Sequence, residues 1–400
     1  MMDKQTWQRV AVAVLLAAVS VGNVVFLHDT FTSRFPGGND SIPRWVGALA
    51  WVFEGLNPYS DEVTDRAQRM IYGRLARPDE DKQRFVYPFY TVFFYLPLVW
   101  LEYDWARAVG MVVLEASLIL TVIASLRMYR WSPPPWLLAV TVVWAVVFYH
   151  GARTILLWQL AGVVAVLITV GLWAIKERRD VLAGACLALA TIKPQMAFLI
   201  LPLIGIWSLT ARRWKLAGAL AASMAALLGV SFLLLPSWLV DMQRQLADYT
   251  NYTHIGSPLN ILTQTVFPFL GQPVEWAFIA VLIAWLLWEW WNVGRGDSGR
   301  FDWVLALTLV VTNLVVARTA TTNYVMMIPA LLYVFAAAVR AYGAKAHFWI
   351  VGAEAALLVG LWILFAVTVQ GREEQWPVYL PWPLVLLAGL MMYRRNTTRP

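Results

Sequence analysis

The chain has 400 residues, of which 60% are hydrophobic and only 14% charged, with a formal net charge of +7. Soluble domains carry about 25% charged residues, so an ordinary water-soluble enzyme is excluded, and apolar runs of about twenty residues recur as they do in membrane spans. The excess of Lys and Arg reflects orientation across a bilayer. No basic patch on a reading element points to nucleic acid as a partner, and a single cysteine, Cys186, excludes an intrachain disulfide or a cysteine-rich metal site.

Hydrocarbon satisfies no backbone polar group, so runs this apolar must be helices. Their hydrophobicity is continuous rather than alternating, which excludes a β-barrel. The expected fold class is all-α, a polytopic membrane protein with about twelve transmembrane helices. It forms one transmembrane domain over 1–400, with outside loops at 28–104 and 237–272.

The first run, 8–27, follows a basic start like a signal sequence. It is long and lacks a small-x-small site, so it reads as a retained helix. The loop 28–104 is too long for a connector. Within it, Ser41–Glu54 predicts an amphipathic helix carrying Trp45, Leu49, Val52 and Phe53, and Gly55 to Tyr59 predicts its stop and turn. Asp61–Arg77 predicts a second, more polar helix. Val86–Leu101 is apolar enough to span, yet counting it would reverse every later helix and put the basic loops outside. It is therefore expected to lie in or dip into the outer leaflet, where Pro88 and Pro97 suit an irregular segment. The remaining spans are expected at 105–127, 136–150, 154–175, 180–192, 195–208, 214–236, 273–292, 303–317, 323–341, 348–369 and 377–393. With the N-terminus inside, Arg127, Lys176, Arg178, Arg213, Arg295 and Arg340 all fall on the inner side.

Ionisable groups in or beside spans are costly, which makes them functional candidates. Lys193, Arg153, Arg318 and His254 all fall on the same outer side as the first loop. Arg153, Lys193 and Arg318 together suit a phosphate or pyrophosphate, which Arg binds bidentately and Lys as a point charge. The alternative for each is snorkelling to the interface. Asp40, after Gly37-Gly38-Asn39, is either a general base or an N-cap, and Asp29 is a second candidate base. Glu115 and Glu354 lie well into spans, where pairing within the bundle is expected. Glu289 lies near the inner end of its span and reads as interfacial. The 23 tryptophans suit interfacial belts.

Five short motifs occur in order. Asp40 precedes an amphipathic helix that ends in Gly55-Leu56-Asn57-Pro58-Tyr59. Val86-Tyr87-Pro88 follows, with Phe89 where a second proline is usual. Next comes Trp158-Gln159, lacking the usual glycine, then Ile192-Lys193-Pro194, then Gly256-Ser257-Pro258-Leu259-Asn260. This series resembles the polyprenyl-phosphate-sugar-dependent glycosyltransferases of the GT-C type, nearest to glycosyltransferase family 87, which includes phosphatidylinositol mannoside α-1,2-mannosyltransferases. The resemblance covers roughly 10–340.

It implies an inverting hexosyltransferase, with mannose the leading sugar, in a bacterial plasma membrane with its site on the outer face. The partners implied are a polyprenyl-phosphate sugar donor, a glycolipid or glycan acceptor, and membrane lipids. By the resemblance Asp40 is the general base, and Lys193, Arg153 and Arg318 bind the donor phosphate. Tyr59, Tyr87, Gln159, Gln195, His254, Asn260 and Tyr324 are the implied substrate contacts. No cofactor and no divalent metal are expected, because no second carboxylate stands beside Asp40 in the sequence. A lipid-linked glycan flippase would show an internal repeat and a polar path across the bilayer, whereas these polar residues gather at one face. A glycan polymerase or ligase would carry its large outside loop in the second half of the chain.

Overall fold

Apolar runs with no water to satisfy their backbone close every N–H and C=O internally, and each long run here is a helix. The computed structural model describes residues 4–35, 37–252, 256–295, 300–371 and 374–394. Among them an isolated antiparallel bridge joins Gly256 and Arg318. The expected all-α membrane architecture is observed. Six helical stretches are long and apolar enough to cross a membrane, one of them the run Thr321–Thr368, and a bent pair makes a seventh.

The shorter apolar helices are Ala161–Lys176, Asp180–Ile192, Ile200–Thr210 and Phe301–Val315. Together these helices follow the expected spans in order, with different ends. The run at 136–150 stops at Val147, and Tyr149–Leu156 continues as a separate helix bent by 52°. The next span starts at Ala161 rather than 154. The span expected at 195–208 is a short turn, Pro194–Ala197, followed by Ile200–Thr210.

The core of the bundle runs from Tyr103–Met128 through Ala161–Lys176 and Asp180–Leu189 to Trp214–Leu234. Small residues permit close helix approach in membranes: a Cβ on Gly184 would come within 2.6 Å of the Leu220 nitrogen. The Phe301–Val315 helix is buried on all sides from Trp303 onward. Lys4–Leu27, by contrast, exposes Val12, Leu15 and Val19, as a lipid-facing helix does. The carboxylates inside the bundle are paired. Asn23 donates to Glu115 at 2.6 Å and Thr141 to Glu354 at 2.7 Å. Glu289 is fully buried rather than interfacial, because Arg394 at 2.5 Å and Arg300 at 3.6 Å neutralise it.

The long loop after the first helix builds the roof of the site. Its amphipathic helix is Ile42–Glu54, closed by Gly55 at φ +68°. The polar helix is Asp61–Tyr72, shorter than expected because Gly73 at φ +70° ends it. The segment 86–101 forms no helix long enough to span. It folds as short turns, with Phe89, Tyr90, Val92, Tyr95 and Val99 buried in the protein core. Its contacts are with the Ile42–Glu54 and Trp214–Leu234 helices.

The helix Trp238–Tyr252 packs over the first loop. Asn57 donates to Asp241 at 2.8 Å, Gln245 to the Tyr59 carbonyl at 2.8 Å, and Arg84 pairs with Asp248 at 3.1 Å.

Candidate active site

Asp40 is held by the turn before it. Gly38 adopts φ +70°, a conformation natural to glycine, and its carbonyl accepts from Ser41 and Ile42. Arg107 grips the approach, donating to the carbonyls of Phe35 at 2.6 Å and Leu156 at 3.0 Å. Ser41, not Asp40, occupies the N-cap position of the following helix. The Asp40 carboxylate is therefore not spent on capping. Its Oδ2 accepts from Gln159 Nε2 at 2.7 Å, and Oδ1 makes no hydrogen bond among the described residues. Asp29 is turned elsewhere: its side chain is 64% exposed and pairs with His28 at 2.7 Å.

Gln159 owes its position to an unusual backbone. Trp158, where the family pattern has glycine, sits at φ +51°, a region L-residues rarely adopt. The Trp158 carbonyl accepts from the Ser41 hydroxyl, which also bonds the Tyr95 hydroxyl at 2.6 Å. Room for the indole comes from Gly110, where a Cβ would fall 1.9 Å from Trp158 Nε1.

Arg44 lies one helical turn beyond Asp40. Its Nη1 donates to the Asp40 carbonyl, and its guanidinium lies 4.1 Å from the centre of the Tyr87 ring, a cation–π contact. Gln195 lies beside the Tyr87 hydroxyl. The Tyr59 hydroxyl donates to the Tyr87 carbonyl at 2.6 Å, so Tyr59 positions Tyr87.

Lys193 stands in the break between Asp180–Ile192 and Pro194–Ala197. Tyr90 fixes the break by bonding Thr191 at 2.9 Å. Lys193 is 1% exposed, and its Nζ has no hydrogen-bond partner. Burial pushes the ammonium down to about 7, and Arg44 pushes the same way, while Asp40 opposes them. A buried, unpartnered cation is expensive, and facing a carboxylate and a guanidinium it is poised for an anionic guest.

The structure thus gathers Tyr87, Gln159, Lys193 and Gln195 around Asp40. Other expected contacts lie apart from them. Arg153 pairs with Glu374 at 2.9 Å, and that carboxylate also accepts from Tyr149 at 2.5 Å, Tyr379 at 3.0 Å and Thr321. Asn260 donates to Glu275 at 2.9 Å, and the buried Tyr324 donates to the Tyr379 carbonyl at 2.9 Å. Arg318 is half-buried and bridges to Gly256 through its backbone. His254 lies outside the described residues.

Three residues join the site without having been expected. Arg44 is one; its position, four residues after Asp40 on a helix, is the signal that would have found it. Asp81 and Tyr249 are the others, and both feel the charges of Arg44 and Asp40. Asp81 is thus a second carboxylate near Asp40. Among the described residues no group of three metal-ligating side chains is present.

A sequence profile for glycosyltransferase family 87 matches residues 85–317, more than half of the chain. The chain belongs to glycosyltransferase family 87. The match takes in Tyr87, Trp158-Gln159 and Ile192-Lys193-Pro194, and leaves Asp40 and the first-loop helices ahead of it. No curated protein and no solved structure matches the chain. Membership makes it a membrane glycosyltransferase.

Proposed function

We propose that this family-87 enzyme moves a hexose, with mannose the leading candidate, from a polyprenyl-phosphate sugar to a hydroxyl of a glycolipid or glycan. The transfer takes place at the outer face of a bacterial plasma membrane. The observation that carries this reading is the buried, unpartnered Lys193 ammonium, in electrostatic contact with both Asp40 and Arg44. A sugar phosphodiester supplies the single negative charge that this pair of cations lacks. Arg44 and Lys193 take the phosphate role. Arg153 serves instead as the ion-pair partner of Glu374, and Arg318 remains a candidate without a described contact to Asp40 or Lys193.

In the reaction, Asp40 Oδ1 accepts the proton of the acceptor hydroxyl as its oxygen forms a bond to the anomeric carbon. The bond between that carbon and the phosphate oxygen breaks, its electrons leave with polyprenyl phosphate, and the anomeric centre inverts. Gln159 holds the other carboxylate oxygen and so fixes the basic one in place. Lys193 and Arg44 stabilise the charge that grows on the leaving phosphate. Tyr87 and Gln195 complete the polar wall.

The test uses purified protein in lipid nanodiscs, radiolabelled polyprenyl-phosphate mannose and a membrane lipid extract. The wild type is expected to form a labelled glycolipid, and Asp40→Asn to form none while remaining folded. Full activity in Asp40→Asn removes the base. If the mannose, glucose, galactose and arabinose donors all fail to bind, the donor class is wrong.

A further inference from the structure

The loop 73–84 is held by a dense set of bonds around one carboxylate. Gln68 donates to the Lys82 carbonyl at 2.8 Å and accepts from the Ala76 nitrogen at 2.8 Å. Tyr72 donates to the Asp81 carbonyl at 3.0 Å, and Gln83 donates to the Tyr72 hydroxyl at 3.2 Å. Glu80 takes both arms of the Arg74 guanidinium at 2.7 Å. Gln83 is forced to φ +54° so that its own N–H reaches Asp81 Oδ1 at 2.7 Å. The result is a half-buried carboxylate with Oδ2 free of hydrogen bonds among the described residues. Arrangements this over-determined are what precise ligand positioning requires.

We infer that Asp81, with Tyr249 opposite it on the Trp238–Tyr252 helix, forms the acceptor subsite and accepts a hydroxyl of the incoming neutral glycan. This rests on the glycosyl-transfer reading above and deepens it. The electrostatic neighbours of Asp81 are Arg44, Asp40 and Lys82, and it also lies in range of Tyr249. That puts it within electrostatic range of the base. A carboxylate cannot serve the donor's phosphate: two like charges 4 Å apart repel by about 4 kcal/mol at a dielectric near 20. Hydroxyls, in contrast, make short and strong hydrogen bonds to carboxylates, and an acceptor sugar presents several. Tyr249, in electrostatic range of Asp81, comes from a helix pinned to the first loop through Asp241, Gln245 and Asp248.

The experiment compares wild type, Asp81→Asn and Tyr249→Phe in nanodiscs, with polyprenyl-phosphate mannose as donor and total membrane lipid extract as titrated acceptor. Donor affinity is measured separately by calorimetry. Asparagine keeps an oxygen for the Gln83 N–H, so the loop is expected to persist, with thermal unfolding as the check. For Asp81→Asn, the acceptor concentration at half-maximal rate should rise about tenfold or more while donor affinity stays within about twofold; tenfold corresponds to about 1.4 kcal/mol. Tyr249→Phe should shift the same quantity in the same direction, and carries the test alone if Asp81→Asn does not fold.

An unchanged acceptor dependence in either folded variant overturns the proposal. So does a loss of donor affinity equal to the loss for acceptor, or activity that requires an added divalent metal in wild type and is lost in Asp81→Asn. Absence of transfer by the wild type overturns instead the reading on which the subsite rests, and takes this one with it.

Discussion

Replacing Lys193 with Met should make the empty protein more stable and its donor binding worse. The ammonium is buried with no hydrogen-bond partner. The penalty for such a charge in a protein is several kcal/mol, of which Asp40 returns only part. A thioether of similar length carries no such penalty, so a net gain of about 1–3 kcal/mol is expected. The donor's phosphate loses a hydrogen bond to a charged group, about 1.5–3 kcal/mol, which weakens its affinity roughly 10- to 150-fold.

The pH dependence follows from the lowered Lys193 value of about 7. Between about 7 and the ordinary lysine value of about 10.4, the unfolded chain holds a proton that the folded chain has released. Stability therefore rises with pH across that window, and the Met variant should lose this rise. Donor affinity runs the other way: above pH 7 the empty site must first take up a proton, so affinity falls as pH rises. Thermal unfolding in detergent and donor calorimetry from pH 6 to pH 9 check both. A variant that is less stable than wild type, or one that binds donor equally well, would refute the view of Lys193 as an uncompensated cation awaiting phosphate.

Two further substitutions probe what surrounds the site. Gly110→Ala would drive a methyl to 1.9 Å from Trp158 Nε1; overpacking of this kind costs about 1–3 kcal/mol. Because Trp158 carries Gln159, kcat should fall more than donor affinity, and an unchanged unfolding temperature with unchanged kcat would count against it. Glu374→Gln leaves Arg153 without its counter-charge and should cost about 3 kcal/mol of stability with donor affinity intact. Weakened donor binding in that variant would return Arg153 to the phosphate.

The parts of the site that are legible in the sequence are those made by local backbone events. Lys193 is conspicuous because Pro194 ends one helix beside it, and Asp40 because two glycines and a helix start flank it. The base-or-cap ambiguity at Asp40 needed coordinates, since only they show Ser41 at the cap and Gln159 on the carboxylate. The ion pair of Arg153 was not legible, because its partner, Glu374, comes more than two hundred residues later, where no periodicity links the two. Asp81 was hidden by its neighbours: Arg74, Arg77, Asp79, Glu80, Lys82 and Arg84 make the stretch look like a solvated charged loop. Only the bonds to Tyr72 and Gln68 reveal a folded one. The segment 86–101 was rightly kept out of the span count by the charge rule, but hydropathy alone does not distinguish a lipid-facing surface from a protein core. Its turns pack between two helices.

The departure at Trp158 bears on how far the family pattern can be carried onto this chain. A glycine is usual there, and the backbone at φ +51° gives the reason: the chain must turn sharply to aim Gln159 at Asp40. Tryptophan pays the steric cost of that conformation and gains an indole wedged among Tyr95, Tyr103 and the bare backbone of Gly110. The glycine has in effect moved from the turn to the helix it packs against. The carboxylate–amide pair forms with tryptophan at this position, Gln159 donating to Asp40 at 2.7 Å. The same logic predicts that Trp158 and Gly110 are energetically coupled: a side chain at 110 is intolerable only while the indole fills that space.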